Sequence, residues 1–393
     1  MMSLFILLYL YNKKELFNYP QGKPEPVSII IPCYNESDSI GATLDSVLNF
    51  NYPKEMIEII VVDDRSTDNS IEVIRNYMKK DPRIKLIINN RNSGGAAEPT
   101  NLGIKSAKSK YIALVDSDST PHPDGLLKMI GFLQQDLKVG AVTCSILPKS
   151  TKTFIQKMQD IEYMVVSFTR KLLDLVDAVY VTPGPFALYR KEALLKVGLF
   201  DTKNMTQDIE IVWRLLSHGY TARMCLATYV RSGTPDKIKS WWKQRIRWNI
   251  GGTQTLFKYK HLFFKKGMLG AFVVPFFSLS LLLGVIGLTL FTYLSLRGIF
   301  ISYLSTKYSL AAQTAIIRFD ELSFSPSILN FFGIALFFLG IWFTIFCLNS
   351  LSEQKLQKHN IFNLLFYNIV YLTVYPILLL VALYKLWRGN YSW

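Results

Sequence analysis

The chain has 393 residues, half of them hydrophobic and 19% charged, with a formal net charge of +15. So high an apolar content excludes a disordered chain, and the lack of a glycine period or sustained heptads excludes a fibrous one. The length has room for two domains.

Met1 to Asn12 is apolar and uncharged, and Lys13, Lys14 and Glu15 follow. Twelve residues of helix reach only about 18 Å, short of the ~30 Å of bilayer hydrocarbon. No basic region precedes this stretch and no small-residue cleavage site follows it, as a signal peptide requires. A short anchor or interfacial helix is expected within 1–23. Residues 27–31 (VSIII) then read as a β-branched strand, followed by a helix carrying Ile40, Leu44, Val47 and Leu48. Further strands are expected at 57–62, 83–88, 111–115 and 139–146. Helices are expected around Ile71–Met78, near 100–108 and around Leu126–Leu133. This βαβα order predicts a mostly parallel sheet covered by helices on both faces.

Sheets of this kind bind ligands beyond the carboxyl ends of their strands. Glu36, Asp63, Asp64, Asp116 and Asp118 all follow such ends, so five carboxylates are expected on one rim. Packed without a counter-charge they would raise one another's pKa. A bound hard divalent cation, Mg²⁺ or Mn²⁺, would relieve that, with phosphates completing its shell. Further along, Pro183-Gly184-Pro185-Phe186 precedes a short strand at 187–190, and Asp208 opens a helical pattern of Ile209, Val212, Leu215 and Leu216. On the helix at 241–248, Trp241, Arg245 and Trp248 share one face, expected to dock at the membrane. Gln244, Arg247 and Trp248 share the other.

No charged side chain occurs between Lys266 and Arg297, between Glu321 and Glu353, or between Lys358 and Lys385. Each gap exceeds the roughly 20 residues that a spanning helix needs. Spans are expected near 269–295, 328–349 and 362–384, with 298–326 an outer loop or a segment along the membrane surface. Lys258, Lys260, Lys265 and Lys266 crowd the entrance of the first span and put residues 13–266 in the cytoplasm. Lys355 and Lys358 agree, whereas Lys385 and Arg388 would then lie outside. The basic excess is explained by this topology and by anionic lipid, and no nucleic-acid-binding module accompanies it. Cys33, Cys144, Cys225 and Cys347 lack the spacing of a zinc site or disulfide framework.

Four of these segments, in order, resemble the inverting glycosyltransferase family 2, and within it the processive membrane polysaccharide synthases. Pro32-Cys33-Tyr34-Asn35-Glu36 is similar to the family's nucleotide-holding first segment. Val62-Asp63-Asp64 is similar to the segment whose first Asp reads the base. Asp116-Ser117-Asp118 resembles the DxD metal motif, and Gln244-Arg245-Ile246-Arg247-Trp248 resembles QxxRW. The resemblance covers about 27–256 and implies a GT-A-type, Rossmann-like α/β domain at 24–256, followed by a membrane domain at 257–393. It implies a nucleotide-sugar donor, a UDP-sugar, bound by Pro32, Tyr34, Glu36, Asp63, Asp116, Gln244 and Arg247. It further implies a metal, Mg²⁺ or Mn²⁺, on Asp118 and Asp116, Asp208 as general base, and Trp248 and Gly184 on the acceptor side. The acceptor would be a growing polysaccharide. The alternative is a single transfer to a polyprenyl- or dolichyl-phosphate lipid carrier. The enzyme would be integral to the cell membrane, with its catalytic domain in the cytoplasm. Two departures stand out: Thr206-Gln207-Asp208 replaces the usual Thr-Glu-Asp, and Gly95-Ala96-Ala97 replaces Gly-Lys-Ala, with Arg91 and Lys105 as candidates for the missing cation.

Overall fold

The structure, a computed structural model, describes residues 2–312, 328–351 and 360–391. Among these residues eight strands form one sheet: β1 Val27–Cys33, β2 Ile57–Asp63, β3 Ile84–Ile88, β4 Tyr111–Leu114, β5 Ser119–Pro121, β6 Val139–Pro148, β7 Ala187–Arg190 and β8 Thr221–Ser232. Their spatial order is β3-β2-β1-β4-β7-β6-β8-β5. The half made of β3, β2, β1 and β4 is parallel, as expected. The other half is mixed: β7 runs antiparallel to β4 and β6, β8 runs parallel to β6, and β5 runs antiparallel to β8. The sheet is thus mostly parallel, as expected, with the antiparallel pairs confined to the second half. Two strands of the second half, β5 and β8, had no counterpart in that expectation.

The helices are α1 Met2–Asn12, α2 Ile40–Leu48, α3 Ser70–Lys80, α4 Ala97–Ser106, α5 Gly125–Gln135, α6 Phe154–Asp174, α7 Lys191–Lys196, α8 Gln207–Ser217, α9 Ile238–Tyr259, α10 Val274–Ala311, α11 Ile328–Ser350, α12 Ile361–Phe366 and α13 Tyr375–Arg388. Successive strand side chains point to opposite faces. In β1, Ile29 and Ile31 accordingly join one apolar core with Leu44 and Leu133, while Ile30 joins the other with Ile104 and Phe168. The helix α6 starts on a capping box, in which the Thr153 side chain accepts from the Gln156 backbone and the Gln156 side chain accepts from that of Thr153. Such reciprocal bonds satisfy two donors that a bare helix start leaves open.

Among the described residues, two helices have the length and composition to cross a membrane, Leu269–Ala311 and Ile361–Arg388. The first runs on past Arg297, so 298–311 continues the helix where a loop or surface segment was expected. Residues 328–349, expected to form a span, lie in α11, whose Ile334–Ser350 part is a shorter apolar helix. Residues 313–327, and the 352–359 loop with the Lys355 and Lys358 used for orientation, lie outside the described residues. The helix α1 packs into the same bundle, with Phe5 against Phe343 of α11 and Tyr9 against Phe346 and Phe168. All four cysteines are buried and free.

Candidate active site

Topology gathers one set of loops at a single rim. Because β7 is antiparallel to β4, with Leu114 opposite Ala187, the segment entering β7 meets the segment leaving β4. The segments leaving β6 and β8 arrive together, since Pro148 pairs with Ser232. Ser119, at the start of β5, also pairs with Ser232. The result places Asp116 and Asp118 between two glycines. A Cβ on Gly184 would stand 2.8 and 2.9 Å from the two Asp116 carboxylate oxygens, and one on Gly233 would stand 2.6 Å from Asp118 Oδ2. Asp118 Oδ1 accepts from Ser119 Oγ at 2.9 Å and from Ser232 Oγ at 3.5 Å.

Asp208 lies in the first turn of α8, where helix N–H groups favour a carboxylate. Its Oδ1 accepts from the Ile209 N–H at 3.1 Å. Burial raises its pKa, against the lowering influence of backbone hydrogen bonds and of the Arg247 and Arg170 charges. Asp116 is pushed up to about 8 by burial, then by the charges of Asp118 and Asp208, with Glu36 adding to them and Arg247 opposing. Arg247, on α9, has its own pKa lowered by burial while Asp208 and Asp116 raise it. The structure thus brings Glu36, Asp116, Asp118, Asp208, Gly184 and Arg247 into one neighbourhood.

The five carboxylates follow parallel strand ends and so lie along one rim, as expected, but among the described residues they do not draw together into one cluster. The strand β1 stands between β2 and β4, so Asp63 and Asp64 sit apart from the DxD pair. Asp64 has both oxygens occupied, Oδ1 by Asn89 Nδ2 (2.7 Å) and Oδ2 by the N–H (2.9 Å) and hydroxyl (2.8 Å) of Ser93. That is a loop-closing role. Asp63 is different: it is wholly buried, its Oδ2 accepts from the Ser66 N–H at 3.1 Å, and its Oδ1 has no partner. A buried unpaired acceptor at a strand end is a place for a ligand donor. Pro32 pairs with Val62 beside it, and Tyr34 is exposed ahead of Asn35, which takes a positive φ of 54°.

Among the described residues, no three acidic, histidine or cysteine side chains assemble into a complete metal cage. What exists is the pair Asp116 and Asp118, with Asp116 buried and its pKa raised first by that burial and then by the Asp118 and Asp208 charges. Such a pair fits a Mg²⁺- or Mn²⁺-like ion that takes its remaining ligands from phosphate and water.

The α9 face carrying Trp241 and Arg245 meets protein where membrane docking was expected. Trp241 and Arg245 are buried against tyrosines of the Ile361–Arg388 helix. Trp248 is 36% exposed, and Gln244 Oε1 accepts from Arg245 Nη1 at 2.5 Å. Two basic residues escaped the sequence reading. Lys149 follows β6 at the rim, where the charges of Asp118 and Glu36 oppose the lowering of its pKa by burial. Its position just past a predicted strand was the available signal. Arg170 is buried in α6 with its Nε unpaired; mid-helix, it carries no motif that could flag it. Of the earlier candidates for the missing cation, Arg91 faces Glu98 at 3.9 Å and is 80% exposed. Lys105 lies in the last turn of α4.

Comparison with known proteins adds the following. Residues 28–198 match the family model described as Glycosyl transferase family 2. The chain is 29% identical over 358 residues to a poly-beta-1,6-N-acetyl-D-glucosamine synthase of Staphylococcus epidermidis, covering 91% of this chain and 82% of that one. It is 33% identical over 251 residues to a synthase of the same description from Staphylococcus aureus, covering 64% and 60%. Among solved structures, the mannosyltransferase PcManGT from Pyrobaculum calidifontis, in complex with GDP-Man and Mn²⁺, matches over 99% of both chains with a TM-score of 0.62 and 19% identity. That likeness concerns the fold.

Proposed function

We propose that the chain, which resembles the processive branch of glycosyltransferase family 2, is a membrane-embedded polysaccharide synthase. It transfers a sugar from a UDP-sugar to the hydroxyl of a growing chain, with inversion at the anomeric carbon, and its apolar helices couple elongation to export. The observation that carries this reading is the meeting of Asp208, Asp116 and Arg247 in one half-buried neighbourhood. Likeness to poly-beta-1,6-N-acetyl-D-glucosamine synthases along 91% of the chain supports UDP-N-acetylglucosamine as the donor.

In this mechanism Asp63 Oδ1 accepts an N–H of the base, and Pro32, Tyr34 and Glu36 line the nucleotide side. Asp116 and Asp118 would hold Mg²⁺ or Mn²⁺, which when bound supplies a Lewis acid at the departing diphosphate. Arg247 grips the same phosphates with its planar fork, and Gln244 lies one turn away on the same helix. Gly184 leaves the acceptor side open, and Trp248 offers an indole face to the acceptor sugar. Asp208 takes the proton from the acceptor hydroxyl as its oxygen attacks the anomeric carbon. The anomeric C–O bond to the diphosphate breaks on the opposite face, and the nucleoside diphosphate leaves.

The test is turnover by the purified full chain with labelled UDP-N-acetylglucosamine and Mn²⁺. High-molecular-weight product without an added lipid carrier is expected, and Asp208→Asn should reduce it by about 10²–10⁴-fold. Label recovered only as a single organic-extractable lipid would replace this reading with single transfer to a polyprenyl- or dolichyl-phosphate.

A further inference from the structure

Arg245, two residues before Arg247 on α9, belongs to a different polar cluster. It is wholly buried. Its guanidinium pairs with Glu162 of α6, donates from Nε to Tyr375 Oη at 3.1 Å, and lies over the Trp248 ring, 4.0 Å from the centroid. Glu162 is in turn held by two tyrosines. Tyr371 Oη donates to its Oε2 at 2.8 Å and Tyr375 Oη donates to its Oε1. Tyr371 Oη also accepts from Trp241 Nε1 at 2.7 Å and from Arg245 Nη2 at 3.4 Å. The hydroxyl protons are accounted for, because each tyrosine gives its single proton to the carboxylate and accepts from an N–H.

Three features separate this cluster from ordinary packing. It joins three elements far apart in the chain: α6, α9 and the Ile361–Arg388 helix. Its tyrosines sit where that helix departs from α geometry, at a π turn over Tyr367–Tyr371 and a 3₁₀ turn over Leu372–Val374, with Pro376 following. Single π turns inside helices are frequent at functional sites. Finally, a buried ion pair is a poor way to gain stability, since apolar side chains of similar volume serve as well. What the cluster does supply is position. The guanidinium under Trp248 is held by the carboxylate and tyrosine, and its Nη1 donates to Gln244.

We propose that Tyr371 and Tyr375 are positioning residues for the acceptor platform: through Glu162 and Arg245 they fix the Trp248 ring and Gln244, so that the last apolar helix governs how the acceptor is held. The inference rests on the reading of Trp248 as the acceptor-stacking residue.

The experiment uses the full chain in lipid nanodiscs, with UDP-N-acetylglucosamine as donor and short β-1,6-linked N-acetylglucosamine oligomers as acceptor. Tyr371→Phe, Tyr375→Phe and the double variant keep both rings and remove only the hydroxyls. The double variant should raise the acceptor KM about tenfold, in line with lost charge-assisted hydrogen bonds, and shorten the product, while the donor KM stays put. Each single variant should give a smaller shift in the same direction, which keeps the inference testable if the double variant does not fold. Glu162→Gln, which keeps the shape and removes the charge, should behave like the double variant. Acceptor and donor KM rising together, or neither moving in a folded variant, overturns the proposal. A Trp248→Ala variant with unchanged acceptor KM overturns the acceptor reading itself, and is told apart because it leaves the tyrosine cluster intact.

Discussion

At the scale of single residues, the chemistry turns on how one carboxylate is kept available. In the proposed mechanism Asp208 is the base and accepts a proton only when ionised; burial raises its pKa, with backbone hydrogen bonds and the Arg247 and Arg170 charges holding it down. The rate should therefore fall as pH drops through that raised value, on a limb above the ordinary carboxylate range. Arg170→Met removes one of the charges that favour the ionised form, so its limb should move to still higher pH in a kcat–pH profile; an unmoved limb would detach Arg170 from the base. Lys149 faces Asp118 and Glu36, and a cation at that place is expected to meet the donor's diphosphate. Lys149→Ala should raise the donor KM about tenfold, a loss of ~1.4 kcal/mol, with the acceptor KM unchanged in the same initial-rate measurements. Asp63, Asp116, Asp118, Asp208 and Arg247 were all legible as residues of interest: the first three stand at strand ends, Asp208 opens a helix, and Arg247 belongs to the QxxRW-like segment. Arg170 and Glu162 were not legible: they sit inside α6, and only tertiary packing gives them partners.

At the scale of elements, α9 is the piece that must be seated most closely. A Cβ on Gly251 would stand 2.2 Å from Thr206 Oγ1 and 2.5 Å from the Thr206 backbone nitrogen. Gly251 therefore lets α9 lie directly on the segment entering α8, which sets Arg247 near Asp208. Gly251→Ala should force the two helices apart. A displacement of about 1 Å at a reacting centre can cost 10²-fold, so a fall of that order in kcat is expected while the thermal transition stays cooperative. The sequence revealed α9 but not its footing, since periodicity shows which faces are apolar and not what they touch. The Trp241–Arg245 face illustrates the point: aromatic and basic residues suit lipid headgroups, yet here they meet tyrosines of another helix. The strand β8 was open to prediction and hidden by composition. Ala222, Met224, Val230 and Ser232 alternate with less buried neighbours over parts of it, but Arg223 and Arg231 interrupt the apolar run.

At the scale of the whole molecule, the parallel half of the sheet was readable because βαβ units repeat a local pattern. The mixed half was not, because β7, β6, β8 and β5 are ordered by long-range pairing. The apolar gaps were plain in composition, yet how the helices within them pack was not: Tyr9 against Phe346 and Trp241 against Tyr371 are contacts that hydropathy does not encode. The sheet order carries one more consequence. The stretch matched by the family model stops at 198, yet among the described residues β5 is paired only with β8, and β6 borders β8 along most of its length. A fragment cut at 198 would keep both carboxylates of the DxD motif. It would also strip one edge of β6 bare and leave Ser119–Pro121 with no strand to join, and unpaired edges of this kind invite aggregation. Such a fragment should be recovered in inclusion bodies and not as a dispersed domain, so the smallest autonomous unit of this enzyme is longer than its signature.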